Sequence, residues 1–269
     1  MIRDITIGQY YPVKSVIHEL DPRVKIIGTL LFAVSLFLLK NAWSFLPAAI
    51  LLVCCIRLSH IPVRFIARGM KPIVLLLLIT AAFNLFLTPG NILVQFWIFK
   101  ITEEGLRVTI LTVVRLCFLV FGTSLMTFTT TPNRLTDGIE SLLSPLQRFH
   151  VPVQELALVM SIALRFIPIL LEETDKIMKA QIARGADFES GNLLRRMKNM
   201  IPLLVPLFVS AFRRADDLAM AMEARGYHGG SGRTKMKPLR YSRRDAEAFA
   251  ILALYVVSLV LSHNIHNFI

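Results

Sequence analysis

Two stretches place an arginine where it could grip another molecule. One reads Asp175-Lys-Ile-Met-Lys-Ala180-Gln-Ile-Ala183-Arg184-Gly185, the other Asp216-Asp-Leu-Ala-Met-Ala221-Met-Glu-Ala224-Arg225-Gly226. Both carry Asp nine residues before Arg, then Ala-x-x-Ala-Arg-Gly, and the copies lie 41 residues apart. A guanidinium offers five donors in a planar fork suited to carboxylates and carbonyls, so the chemistry is recognition. A cation in the last turn followed by Gly also describes an ordinary helix C-terminus. A third tripeptide, Ala67-Arg68-Gly69, has Arg64 where the copies have Ala180 and Ala221. Those alanines lie one turn before their arginines, on the same helix face. A small residue there leaves the guanidinium rising from a low surface. Spacing alone leaves both readings open, paired docking knobs or two caps. Asp175, Ala180, Asp216 and Ala221 are the supporting positions.

Signatures of catalysis are missing. No Walker motif, His-Glu-x-x-His or nucleophile elbow occurs. Gly229-Gly-Ser-Gly-Arg-Thr-Lys235 lacks the order of a phosphate loop and reads as a flexible basic linker. His263 and His266 could pair on a metal, but at the end of an apolar run they read as interfacial. Cys54, Cys55 and Cys117 fall inside apolar runs and read as small hydrophobes. The expectation is no catalytic residue, no metal site and no enzyme.

The 269 residues are 55% hydrophobic, with 30 basic residues and a net charge of +12. That combination suits a membrane protein with a cationic cytoplasmic part and excludes an ordinary soluble globule. The charges lack interleaved aromatics, so no nucleic acid is expected. Residues 1–21 are polar, so no cleavable leader is expected.

Apolar runs at about 24–39, 42–56, 72–87, 106–130 and 246–262 predict five spans. The first two are short for a core of about 30 Å. Arg57, Arg64, Arg68 and Lys71 crowd one connection, and residues 133–244 carry 18 Lys/Arg against 11 Asp/Glu. The positive-inside rule then puts the N-terminus and the 133–244 region in the cytoplasm and the C-terminus outside. Arg115, inside the fourth span, is expected to snorkel outward, and Asn84 to join helices. Arg23 and Lys25 read as interfacial anchors behind Asp21, which can cap a helix begun by Pro22.

Three parts follow: residues 1–131 with four spans, 132–240 with long cytoplasmic helices, and 241–269 with the last span. In the middle part helices are predicted from Pro132 to about Arg148, from Pro152 to Ala183 with a kink at Pro168, and from Leu193 to Ala224. The last carries a broad apolar stripe that includes Met200, Leu204 and Phe208. Facing water it would be costly, so it packs on spans and lipid or receives a partner.

Leu20-Asp-Pro-Arg-Val-Lys25 resembles the opening signature of the transmembrane, or T, component of energy-coupling factor (ECF) transporters. Leu164-Arg-Phe-Ile-Pro168, Leu171-Glu-Glu-Thr-Asp175 and Ala180-Gln-Ile-Ala-Arg-Gly-Ala186 resemble its first coupling-helix signature. Arg213-Arg-Ala-Asp216 through Ala224-Arg-Gly-Tyr227 resembles the second. The resemblance covers nearly the whole chain. It implies an all-α membrane fold in the prokaryotic cytoplasmic membrane, with coupling helices ending in the two Ala-Arg-Gly motifs.

The resemblance further implies two ABC-type ATPases docked at Ala183-Arg184-Gly185 and Ala224-Arg225-Gly226. One membrane S component would carry the vitamin on the apolar surface, and ATP and Mg would sit on the ATPases, with no cofactor on this chain. Cobalt- and biotin-specific members share the family, so a dedicated component of that type is the alternative. A membrane-embedded enzyme or a permease binding its own solute is a more distant one.

Overall fold

The computed structural model describes residues 10–39, 41–96, 99–188, 192–229, 236 and 238–267. Residues 230–235 of the basic linker, and the side chains of Arg68, His263 and His266, lie outside that description. The described chain divides into two compact units, Gly8–Ser141 with Leu239–Ile269, and Leu142–Pro238.

In the first unit, Ser15 caps the short α1 (Val16–Glu19), and Asp21 caps α2 (Pro22–Leu38) by accepting the Arg23 amide. Pro22 stands where its missing N–H is harmless. α3 (Phe45–Ser59) follows a 3-10 turn at Ala42–Ser44 and stops at His60, in the left-handed region at φ 55°. α4 (Val63–Arg68) leads into α5 (Val74–Leu87). The next connection is an antiparallel hairpin, β1 (Ile92–Phe96) with β2 (Phe99–Thr102), pairing Gln95 with Lys100. This small sheet is a departure from an all-helical chain.

Thr102 then accepts the Gly105 amide to start α6 (Glu103–Thr129), whose first-turn Glu103 and Glu104 suit the positive helix end. Gly105 is required by closeness: a Cβ there would stand 3.1 Å from the Leu85 carbonyl oxygen on α5. α7 (Pro132–Leu143) closes against α2, and α11 (Arg243–Asn267) ends the unit.

Two apolar clusters hold these helices. One joins Phe32, Leu36, Phe45, Leu52 and Tyr255, and the other joins Ile61, Ile66, Leu125 and Phe128. Outside them, Leu30, Phe37, Leu78, Phe83, Leu254 and Val257 lie exposed. Such surface is stable only in lipid or against a partner. Ala42–Ser59, Glu103–Thr129, Val153–Ala183 and Arg243–Ser262 are long and apolar enough to cross a membrane, and Val74–Leu87 is a shorter apolar helix. The chain is a multi-pass membrane protein.

In the second unit a 3-10 turn (Ser144–Phe149) ends at His150, φ 59°, and α8 (Val153–Ala183) runs unbroken through Pro168. The helix expected from Leu193 to Ala224 is two. α9 (Leu193–Asn199) stops at Met200, and α10 (Ile201–Ala224) starts there with Pro202 in its first turn. Proline cannot donate to the preceding turn, so a new helix begins where that donor is not needed. α10 packs on α8.

Candidate functional site

Both Ala-Arg-Gly copies terminate their helices in the same way. Arg184 is the C-cap of α8 and Arg225 the C-cap of α10, with φ/ψ of −88°/6° and −90°/8°. Gly185 and Gly226 follow in the left-handed region, at φ 87° and 73°. The Gly185 amide donates to the Ile182 carbonyl and the Ala186 amide to the Gln181 carbonyl, both at 2.9 Å. The second copy repeats this, with Gly226 to Glu223 at 2.8 Å and Tyr227 to Met222 at 3.0 Å. These paired bonds define the Schellman motif, which satisfies the last carbonyls and turns the chain sharply away.

The two ends stand open. Ala183, Arg184, Gly185, Ala224, Arg225 and Gly226 are all exposed, as are Ala180, Ala221 and Asp216, while Asp175 is half-buried. A Cβ at Gly185 or Gly226 would meet nothing within 4 Å. Neither arginine makes a side-chain hydrogen bond or ion pair among the described residues, and neither touches the Asp nine residues before it.

The third tripeptide differs. Gly69 has φ −63°, and a Cβ there would stand 3.1 Å from the Ile66 carbonyl oxygen and 3.5 Å from Ser124 Oγ on α6. Gly69 therefore sits in a right-handed bend near α6, without the left-handed turn of Gly185 and Gly226.

The stripe of α10 is likewise uncovered in this chain. Met200, Leu204 and Phe208 recur four residues apart and are 48%, 44% and 60% exposed, beside exposed Val205, Val209 and Phe212. Arg214 of α10 pairs with Glu173 of α8 at 3.2 Å.

Leu20-Asp-Pro-Arg-Val-Lys25 lies in the first unit and forms a buried polar knot. Arg23 forks onto both oxygens of Asp21 at 3.0 Å, reaches Ser141, and lies over the Tyr241 ring at 3.9 Å. Lys25, 8% exposed, donates to the His18 and Thr129 carbonyls. The Asp21 amide donates to Asp245 at 2.8 Å, and Asp245 also accepts from the Ser242 amide and hydroxyl. Arg244 pairs with Glu19. The interfacial-anchor reading of Arg23 and Lys25 is therefore corrected: these cations tie α2 to α6, α7 and α11.

Asp245 and Tyr241 escaped sequence reading, although Ser242-Arg-Arg-Asp245 has the spacing of a capping box. Arg115 is corrected as well. It does not snorkel: Nε donates to the Leu36 carbonyl at 3.0 Å and Nη2 to Leu39 at 2.6 Å, capping the end of α2.

A profile of the CbiQ family, described as cobalt transport protein, matches residues 13–236. The chain belongs to this family. Within the family, three relatives carry the name energy-coupling factor transporter transmembrane protein EcfT. The one from Clostridium kluyveri is 53% identical over 264 residues, covering 97% of this chain and 98% of its own. The one from Ruminiclostridium cellulolyticum is 49% identical over 261 residues, with the same coverages. The one from Bacillus subtilis is 47% identical over 262 residues, again with 97% and 98% covered. The family and these relatives make the chain a transmembrane component of an energy-coupling factor transporter.

Proposed function

We propose that this chain is the non-catalytic scaffold that passes the work of two ABC-type ATPases to a vitamin-carrying S component. Arg184 and Arg225 each enter a groove on one ATPase. ATP and Mg stay on those partners, and this chain binds neither. Met200, Leu204 and Phe208 belong to the surface that carries the S component. The helices of the 132–240 region face the cytoplasm.

The observation that carries this reading is the pair of helix ends. Two solvent-facing arginines sit on identical Schellman turns, free of partners within the described chain, while the third copy lacks the left-handed glycine and packs Gly69 near α6. Two identical knobs suit two like partners. The family description names cobalt, whereas the relatives at 47–53% identity carry the energy-coupling name, which supports this reading over a dedicated cobalt component.

The test is vitamin uptake in cells beside a detergent pull-down of the ATPases, with cobalt uptake measured in parallel. A buried interface arginine costs about 2–4 kcal/mol when truncated, roughly 30- to 1000-fold in affinity. Arg184→Ala or Arg225→Ala alone should lower uptake sharply while some complex survives, because the remaining knob keeps the second contact effectively intramolecular. The double variant should insert normally and lose most of the ATPases. Normal uptake by the double variant would exclude these arginines as the mechanical link.

A further inference from the structure

The repeated residues begin at Asp175 and Asp216, and a pair of positions just upstream of them joins the two copies. The 41-residue shift that carries Arg184 onto Arg225 also carries Glu172-Glu173 onto Arg213-Arg214. Glu173 and Arg214, equivalent positions in the two copies, are the pair that meets: Arg214 Nη2 lies 3.2 Å from Glu173 Oε2, across a separation of 41 residues. Leu170 and Ala211, also 41 residues apart, both line the cavity of about 330 Å³ that Arg214 borders.

Where a local two-fold axis relates two copies, equivalent residues that touch lie on it. An identical residue placed there meets itself, and a like charge would repel. This chain carries opposite charges at the two positions, just upstream of the Asp, Ala, Ala, Arg and Gly that repeat.

We infer that Glu173 and Arg214 are the pivot of the α8–α10 pair, positioning residues that hold the two arginine ends at equal reach. The inference rests on the docking reading for its purpose, but its geometry does not. Each arm runs 11 residues from pivot to arginine, about 16 Å of helix. A slip of one turn of either helix past the other would make the two arms unequal by about 5 Å. Both ends could not then meet symmetric partners together. The cavity beside the pair leaves room for the crossing angle to change while the ion pair holds the register. Arg214 Nε is buried without a partner, so Glu173 supplies the only acceptor that fixes this guanidinium among the described residues.

The experiment is a charge exchange in the full transporter. Glu173→Arg and Arg214→Glu, each alone, place like charges at the axis. Each should lower uptake about three- to tenfold, the range expected of a partly exposed pair, while the ATPases still co-purify. The double exchange restores opposite charges and should return uptake to within about twofold of the parent. Spin labels at Lys179→Cys and Met220→Cys, equivalent exposed positions on the two arms, report the register directly once Cys54, Cys55 and Cys117 are replaced by Ala. One narrow distance should broaden in each single variant and narrow again in the double exchange. A double exchange no better than the singles in both readouts, or unchanged distances in the singles, would overturn the pivot. If instead Arg184→Ala/Arg225→Ala keeps the ATPases, the docking reading fails, and the label distances still decide the pivot.

Discussion

His18 carries a proton that bears on the polar knot, since its carbonyl accepts from Lys25. Its Nε2 lies 3.0 Å from the Tyr11 carbonyl, which can only accept, so Nε2 bears the hydrogen. Nδ1 then accepts from the Ser15 hydroxyl at 2.7 Å. Burial pushes the His18 pKa down, and the nearby Lys25 charge adds to the shift; the bond to Tyr11 opposes it without reversing it. A histidine whose folded pKa lies below its unfolded value of about 6.5 binds protons more readily when unfolded. Its contribution to stability is therefore present above about pH 6.5 and lost as pH falls toward the lowered folded value. The detergent-solubilised protein should melt at lower temperature as pH falls from about 7 to 5. His18→Asn should flatten that slope, and an unchanged slope in the variant would rule His18 out as its source. None of this was legible in the sequence, where His18 was one polar residue among many. The capping role of Asp21 was legible because it depends on neighbours in the chain. The bonds of Lys25 to Thr129 and of Arg115 to Leu36 span 104 and 79 residues, and no local pattern encodes them.

At the scale of the helix, the glycine after each arginine sets where the arginine points. Gly226 adopts φ 73° with open space around it, so alanine there meets backbone strain and no clash. The strain is about 1 kcal/mol. Gly226→Ala should leave the protein folded and unwind or reaim the last turn of α10, lowering ATPase retention by about fivefold. Gly69→Ala is the control: φ −63° tolerates alanine, so any effect there should appear as altered packing on α6 with ATPase retention unchanged. Pull-down at graded ATPase concentrations reads both. Equal loss in the two variants would show that the left-handed turn has no special part. The two endings were visible in the sequence because Ala-x-x-Ala-Arg-Gly is a local pattern. What distinguished them from Ala67-Arg68-Gly69 was the packing of α6 against Gly69, which is tertiary. The break at Met200 was missed for a different reason. An apolar stripe runs straight across it, and periodicity hid the first-turn role of Pro202.

At the scale of the whole first unit, the ends of the helices sort themselves between two faces. The starts of α2 and α11 and the end of α6 meet in the polar knot, through Asp21, Asp245 and Thr129. The residues after α3 join the same face, where Ile61 packs with Leu125 and Phe128, and α5 is entered there past Gly69. On the opposite face Arg107 reaches Asn41, and Thr102 bonds the Thr88 carbonyl after α5. Helices α2, α3, α5, α6 and α11 therefore alternate in direction. Length and composition mark α3, α6, α8 and α11 as able to span, whereas α5 is a shorter apolar helix and α2 has only 17 residues. The first half of α8 holds only Glu155 and Arg165, whereas Glu172, Glu173, Asp175, Lys176 and Lys179 crowd the second. Each charge at mid-bilayer costs about 2.5–3.5 kcal/mol, so only the first half can settle against lipid. The five spans expected from the sequence would put the two chain ends on opposite sides; a crossing through α8 would carry Asn192 outside. Asn192→Cys, in a background without Cys54, Cys55 and Cys117, should resist an impermeant maleimide on intact cells and react in inverted vesicles. A tag appended after Ile269 should show the reverse accessibility. Labelling of Asn192→Cys from outside intact cells would make α8 a span and would exclude cytoplasmic docking at Arg184.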